Sequence, residues 1–313
     1  VLFDPAAGVL ISDGGLATEL EARGHDLSDA LWSARLLVDD PAAIEAVHAA
    51  YFQAGADIAT TASYQASFEG FAARGLSRAE SIRLLRRGVQ LARAARDACA
   101  DGRPRWVAAS IGPYGAARAD GSEYRGRYGR SVAELRAWHR PRMEVLAEAG
   151  ADLLALETVP DIDEAEALVD LVTDIGVPAW LSYTIAGTRT RAGQPLADAF
   201  AVAAASDSII AIGVNCCPPA DVTAATELAA GTRKPVIAYP NSGEGWDAVR
   251  HTWTGPVRYA PAQARAWVAR GARVIGGCCR VGPADIARLA TELRGTSASD
   301  DRSASGPSNR NSG

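Results

Sequence analysis

The chain is 313 residues long, with 48% apolar and 22% charged residues and a net charge of −5, the balance of a globular protein able to bury one large core. That charge excludes the basic excess that nucleic acid or an anionic membrane surface would demand, and favours a small uncharged or cationic ligand. There is no membrane-spanning apolar run and no basic segment before an apolar one at the start, and an odd count of five cysteines argues against a secreted disulfide framework, so a cytoplasmic location is expected.

Residues 9–15 read as a first strand ending in Asp13-Gly14-Gly15. Residues 40–55 read as a helix: Asp40 caps it, Pro41 suits its first position, Ile44, Val47, Tyr51 and Ala54 form one stripe, and Gly55 stops it. A second strand follows at 57–64. The alternation then continues, with helices at 78–99, 131–149, 162–175, 196–205, 220–230, 260–269 and 283–293 separated by strands at 106–112, 152–157, 179–184, 209–217, 235–239 and 272–280.

Eight apolar strands alternating with amphipathic helices predict a single-domain (β/α)8 barrel over residues 1–294, with a doubly wound open sheet as the alternative. The repeat Ala-Gly-Ala-Asp at 54–57 and 149–152 marks architecture rather than chemistry. Residues 295–313 have almost nothing apolar and are expected to be a disordered tail. Two long glycine-rich stretches, 114–130 and 242–259, would lie after strands on the catalytic face.

In such a barrel the strand ends converge on one mouth. They carry Asp13, Gly14 and Gly15; Tyr64; Tyr114; Glu157; Tyr183; Asn215, Cys216 and Cys217; Tyr239 and Asn241; and Cys278 and Cys279. A lone cysteine is usually a small buried hydrophobe, which is the reading for Cys99. Two cysteine pairs at two strand ends instead suggest a metal. Cys216 and Cys217 should point to opposite faces, whereas Gly276-Gly277 could let both Cys278 and Cys279 turn inward. Three thiolates with one exchangeable position is the simplest count, and a four-thiolate staple is not needed by a domain of this size.

Asp13 could open a turn and Glu157 could cap a helix. Facing one mouth, however, two carboxylates suit an amine, and the Gly14 and Gly15 N–H groups suit a carboxylate, which together describe an amino acid ligand. Trp32, Tyr64 and Tyr114 could be packing, or could wall a cationic site, with Tyr124 and Tyr128 as further candidates. His48 and His139 fall within helices and read as packing or outer-surface residues.

Asp13-Gly-Gly15, Leu156-Glu-Thr158, Gly213-Val-Asn-Cys216 and Gly276-Gly-Cys-Cys279 resemble, in the same order, the zinc-dependent homocysteine S-methyltransferases. The loop Asp120-Gly-Ser-Glu-Tyr-Arg125 and the run Tyr239-Pro-Asn-Ser-Gly-Glu244 look like the branch using S-methylmethionine or S-adenosylmethionine rather than betaine. The resemblance implies Zn2+ on Cys216, Cys278 and Cys279. It also implies homocysteine with its sulfur at the fourth position, its amine near Glu157 and its carboxylate near Asp13, Gly14 and Gly15, with Asn215 in the substrate set. Trp32 and Tyr64 match the donor site, and Cys217 receives no ligand role.

The implied reaction is methyl transfer from a sulfonium donor to homocysteine thiolate, giving methionine, with no catalytic side chain beyond the zinc-activated substrate thiolate. A free thiol is only a few per cent ionised at neutral pH, so a metal that removes its proton supplies the nucleophile. The alternatives are a betaine- or selenocysteine-type enzyme of the same family or, from other classes, a zinc-storage protein or zinc hydrolase. Scarcity of histidine weighs against the hydrolase. Small-molecule substrates are expected, with no nucleic acid or membrane partner. Oligomeric state is left open.

Overall fold

The computed structural model describes residues 2–27, 31–99, 101–247 and 252–295, with only the backbone of Trp32, Trp246, Asp247 and Thr252. Eight short strands form its centre: β1 (Leu10–Ile11), β2 (Ile58–Thr60), β3 (Trp106–Ile111), β4 (Leu153–Val159), β5 (Ala179–Tyr183), β6 (Ile209–Asn215), β7 (Val236–Tyr239) and β8 (Ala272–Ile275). They are hydrogen-bonded in the order β1-β8-β7-β6-β5-β4-β3-β2, every pair parallel. The two ends meet, because Asp13 N–H donates to Ile58 O at 3.0 Å and Asp57 N–H to Ile11 O at 2.7 Å. The sheet is therefore a (β/α)8 barrel, and the open-sheet alternative falls.

The outer ring is α1 (Pro41–Ala54), α2 (Arg78–Asp97), α3 (Val132–Glu148), α4 (Ile162–Ile175), α5 (Leu196–Ala204), α6 (Pro219–Ala230), α7 (Gln263–Ala269) and α8 (Pro283–Arg294). Their ends follow local chemistry. Asp40 accepts from Ala43 N–H at the start of α1, and Gly55, with φ +108°, stops it. Ser77 with Glu80 and Ser131 with Glu134 form capping boxes on α2 and α3, each satisfying N–H groups that a helix start leaves without acceptors. Of the predicted tail, residues 295–313, all but Gly295 lies outside the described residues. Among the described residues, no helix is long and apolar enough to cross a membrane.

Additional short elements lie in the βα loops: helices Leu16–Ala22, Leu36–Asp39, Phe68–Ala73 and Tyr114–Arg118, 3-10 turns Trp32–Arg35 and Ser122–Tyr124, and two hairpins, Ile185–Ala186 with Arg189–Thr190 and Gly245–Asp247 with Thr252–Thr254. None is long enough to show the periodicity on which sequence reading depends.

The Ala-Gly-Ala-Asp repeat has a structural role. Asp57 accepts from Ile11 N–H at 2.9 Å, Arg103 at 2.7 Å and Arg294 at 2.6 Å. Asp152 accepts from Val107 N–H at 2.7 Å and Arg96 at 3.1 Å. Each carboxylate closes a strand-to-strand junction at the end of the barrel where the strands begin, far from the mouth.

Inside the barrel, Ile58, Trp106, Ala108, Leu153, Ala155, Trp180, Ala211, Ile237 and Val274 pack together with Tyr239. Strand side chains alternate between faces. The inward phase of β3, β4, β5 and β7 therefore runs on to Ser110, Glu157, Ser182 and Tyr239. Tyr183 is out of phase: its hydroxyl donates to Ala199 O on α5 at 2.7 Å, so it faces the helices and not the mouth as expected.

A buried ionic network fixes the loops above β2 and β3. Arg142, 1% exposed on α3, donates to Gly112 O, to Ala66 O at 3.3 Å, to Tyr64 O at 3.5 Å and to His139 Nδ1 at 3.1 Å. His139 Nε2 in turn reaches Glu164 Oε1 at 2.8 Å, which also accepts from Tyr114 N–H. His48, also fully buried, lies on the inner face of α1. Replacing Arg142 with Met leaves these groups unpaired in the core and is expected to cost about 3–5 kcal/mol, read as a lower urea midpoint for unfolding.

Candidate active site

At the C-terminal ends of the strands lies an open cavity of about 710 Å3, mouth included, lined by Asp13 to Thr18, Ser33, Thr60 to Ala62, Tyr64, Ser110, Tyr124, Glu157, Thr158, Cys216, Tyr239 and Gly277 to Cys279. Cys216, Cys278 and Cys279 place their sulfurs within 4.8 Å of one another, with Cys216 and Cys279 at 3.7 Å. Local backbone geometry produces the cluster. Cys216 follows the end of β6 with φ +49°, a left-handed conformation rarely adopted outside glycine, and Cys217 enters the outer core, fully buried. Strand β8 stops at Ile275, so Cys278 and Cys279 escape strand alternation and both face inward.

The cluster is electrostatically coupled. Hydrogen bonds from Cys278 and Cys279 hold the Cys216 thiol well below its usual pKa, and the contact with Cys216 pushes both partners well above theirs. The cluster thus gives up one proton more readily than an isolated thiol would. Arg191 adds a cation that favours the resulting charge, and its guanidinium lies 5.8 Å from the centre of the Tyr124 ring. Three soft sulfur donors, with the cavity on their open side, suit a thiophilic divalent ion.

Beside the thiols, Asp13 is 2% exposed and accepts from Thr60 N–H at 2.8 Å, Thr60 Oγ1 at 3.0 Å and Ser12 Oγ at 3.3 Å. Burial raises its pKa to about 8, with the Glu157 charge adding to the effect. Glu157, 8% exposed, accepts from Ser110 Oγ on one oxygen and from Tyr239 Oη at 3.2 Å on the other. Burial raises its pKa to about 7. Both are carboxylates whose ionised form a bound cation would favour.

Gly14 and Gly15 lie at the cavity floor, but Gly15 N–H already donates to Val281 O at 3.0 Å, so it is not free for a ligand carboxylate. Asn215 is 1% exposed and does not line the cavity. Its Oδ1 accepts from Thr158 N–H at 2.7 Å and Ser182 Oγ at 2.8 Å, and its Nδ2 donates to Thr158 Oγ1 at 2.7 Å.

Tyr64 and Tyr124 line the cavity, with Tyr124 Oη 3.2 Å from Cys216 Sγ. Tyr114 does not: it packs edge-on against Tyr128 and Trp138, outside the mouth. Asn241 Oδ1 caps a turn by accepting from Gly243 N–H at 3.0 Å. The Trp32 side chain lies outside the described portion, though neighbouring Ser33 lines the cavity. Cys99 is half-buried on the barrel exterior, with Sγ against Ala95 O. Ser110, Thr60 and Arg191 escaped sequence reading. Strand phase could have found Ser110 and Thr60, whereas Arg191 sits after a hairpin that carries no sequence signal.

Two outcomes follow. Cobalt titration is expected to give a thiolate-to-metal absorption band in the parent and in Cys217→Ala, and none in Cys278→Ala. In the metal-free protein, Asp13 and Glu157 hold protons to higher pH than in the unfolded chain, so stability present below their unfolded pKa values is lost as pH rises towards 8. The buried His48, with its pKa lowered to about 4, acts with the opposite sign, but only below its ordinary value of 6.5. Cys216, whose lowered pKa acts with the opposite sign up to its ordinary value, is removed for the test, so the urea midpoint of metal-free Cys216→Ser should fall between about pH 6.5 and 8.

A homocysteine S-methyltransferase family model matches residues 10–293. The Homocysteine S-methyltransferase of Escherichia coli (strain K12) is 49% identical over 291 residues, covering 90% of this chain and 94% of that protein. Homocysteine S-methyltransferase YbgG of Bacillus subtilis (strain 168) is 47% identical over 298 residues, covering 91% and 95%. Among solved structures, the metallated form of the homocysteine methyltransferase MmuM from Escherichia coli aligns with a TM-score of 0.83 at 46% identity, covering 91% of this chain and 96% of that one. The chain belongs to the homocysteine S-methyltransferase family.

Proposed function

We propose that the protein transfers a methyl group from a sulfonium donor, S-methylmethionine or S-adenosylmethionine, to the sulfur of L-homocysteine, forming methionine, with Zn2+ held by Cys216, Cys278 and Cys279. The observation that carries this reading is one cavity holding three clustered thiols beside two buried carboxylates. Zinc, when bound, makes a coordinated thiol ionise at neutral pH. A working site of reduced thiols suits a reducing compartment such as the cytoplasm.

The chain's own residues orient the substrates. Glu157, fixed on one oxygen by Ser110, accepts the ammonium of homocysteine, and Asp13 adds negative charge beside it. The substrate carboxylate lies towards Gly14 and the start of helix Leu16–Ala22, whose first N–H groups have no intrahelical acceptor. Gly15 serves by permitting close backbone approach. Asn215 acts from beneath by holding Thr158 at the end of β4. Tyr64 and Tyr124 present ring faces to the donor cation.

In the transfer, a bond forms from the acceptor sulfur to the methyl carbon as the donor carbon–sulfur bond breaks. The electron pair returns to the donor sulfur, leaving a neutral thioether. No proton moves at carbon, so no general base is needed. Metal-loaded protein is expected to form methionine from homocysteine with at least one of the two sulfonium donors and not with betaine; no methionine from any of the three would overturn the reading.

A further inference from the structure

Behind Glu157, a chain of buried hydrogen bonds crosses the barrel interior to Asn215 at the end of β6. Glu157 Oε2 meets Tyr239 Oη at 3.2 Å, Tyr239 Oη meets Ser182 Oγ at 2.6 Å, and Ser182 Oγ meets Asn215 Oδ1 at 2.8 Å. Tyr239 and Asn215 are at most 3% exposed, Ser182 is fully buried, and Ser182 does not line the cavity.

Both ends of the chain can only accept. Asn215 Oδ1 is identified as the oxygen because Thr158 N–H donates to it at 2.7 Å, and Glu157 as a carboxylate has no proton. Trp180 Nε1–H, which can only donate, occupies one acceptor position of Tyr239 Oη at 3.1 Å. Between the two ends stand two hydroxyls, with one proton each. Three contacts therefore share two protons, and one contact lacks its hydrogen bond. Ser110 serves the other oxygen of Glu157 and does not relieve the deficit.

A ligand ammonium removes it. When an N–H of the ligand donates to Glu157 Oε2, Tyr239 is free to donate to Ser182 and Ser182 to Asn215, and every buried acceptor is served. We propose that Ser182, which does not touch substrate, is a specificity-determining positioning residue: by leaving this chain one proton short, it makes the Glu157 carboxylate prefer an acceptor that carries an α-ammonium group. The proposal rests on the assignment of Glu157 to the substrate amine.

The experiment compares kcat/KM for L-homocysteine with that for 4-mercaptobutanoate, which keeps the thiol and carboxylate but lacks the amine. Metal-loaded parent, Ser182→Ala, Tyr239→Phe and Glu157→Gln are assayed at about pH 8, above the value of about 7 for the Glu157 carboxyl, with metal content and thermal midpoint measured in parallel. Without the Ser182 hydroxyl, the Tyr239 proton serves Glu157 even in the empty site. Ser182→Ala should therefore lower the homocysteine to 4-mercaptobutanoate ratio by about three- to tenfold, the worth of one hydrogen bond. The loss should appear in the homocysteine KM, with the rate on 4-mercaptobutanoate and the metal content unchanged.

Tyr239→Phe should keep or raise the ratio, because it leaves Glu157 Oε2 with no protein donor while Ser182 still serves Asn215. An unchanged ratio in Ser182→Ala, or an equal loss on both acceptors, would overturn the proposal. So would a fall of the ratio in Tyr239→Phe matching that in Ser182→Ala, since that is the result of simple orientation by the phenol. Glu157→Gln tests the assignment underneath: a ratio equal to the parent's there would remove the amine from Glu157, whatever the Ser182 result.

Discussion

Three sulfurs within 4.8 Å impose the constraint on which the mouth of this barrel depends. They come from the ends of β6 and β8, which are separated by β7, and neighbouring strands stand about 4.8 Å apart. Regular strands would hold the two ends about twice that distance apart, so both chains must leave strand geometry and turn inward. Cys216 does so through its left-handed backbone. The β8 end does so where the backbone is packed too tightly for a side chain: a Cβ on Gly277 would lie 2.1 Å from Val281 Cγ1, and one on Gly14 would lie 2.0 Å from Val281 O. Gly14 therefore serves the close approach of the β1 and β8 ends, and Gly277 lets the β8 end fold back on its own Val281. Hydrogen bonds lock the result, with Cys216 N–H on Tyr239 O, Cys278 N–H on Pro240 O and Gly277 N–H on Asp13 O.

Much of this could be read from sequence because it is periodic or chemically singular. The β-branched runs and the helix stripes carry the barrel, and paired cysteines after glycines announce a turn that frees both thiols. Position along a strand was less well resolved than existence. Tyr183 was assigned to the mouth because it ends β5, yet side-chain phase sends it to α5, and the same phase sends unheralded Ser182 inward. Tyr114 was grouped with the donor aromatics because it follows β3, but Glu164 captures its backbone N–H and draws its ring towards Trp138. Asn215 ends a strand, and the family resemblance puts it in the substrate set; its Oδ1 accepts from Thr158 and Ser182 and its Nδ2 donates to Thr158. These are tertiary facts, set by partners far away in the chain.

The charges in the cavity are arranged against their own burial. Asp13, Glu157 and the thiol cluster are all anionic when ionised, and they share one small, largely apolar space. Without a ligand, that arrangement keeps the carboxyl groups protonated well above their ordinary range. Cationic partners would reverse the balance at both sides of the cavity, a metal at the thiols and, in the proposed reading, an ammonium at Glu157. The site is thus poorly stabilised when empty and better stabilised when filled with positive charge, which is the sign of ligand that a sulfonium donor and an amino acid acceptor provide.

The two sides of the cavity are built on different kinds of structure. The thiols, Asp13, Glu157 and Tyr239 sit at or just beyond strand ends, tied to one another through the barrel interior. Tyr64, Ser33 and Tyr124 sit on βα loops and short helical turns, where side chains can be exchanged without disturbing strand register. The strand-end side is therefore constrained by the whole barrel, whereas the loop side is constrained by loops alone. Arg142 is the exception that joins them. By donating to the carbonyls of Tyr64, Ala66 and Gly112 from α3, it transmits the rigidity of the helical ring to the loop that carries Tyr64. The loop wall can consequently vary in side chain while its backbone stays at a fixed distance from the thiols, as the proposed in-line transfer between two sulfurs requires.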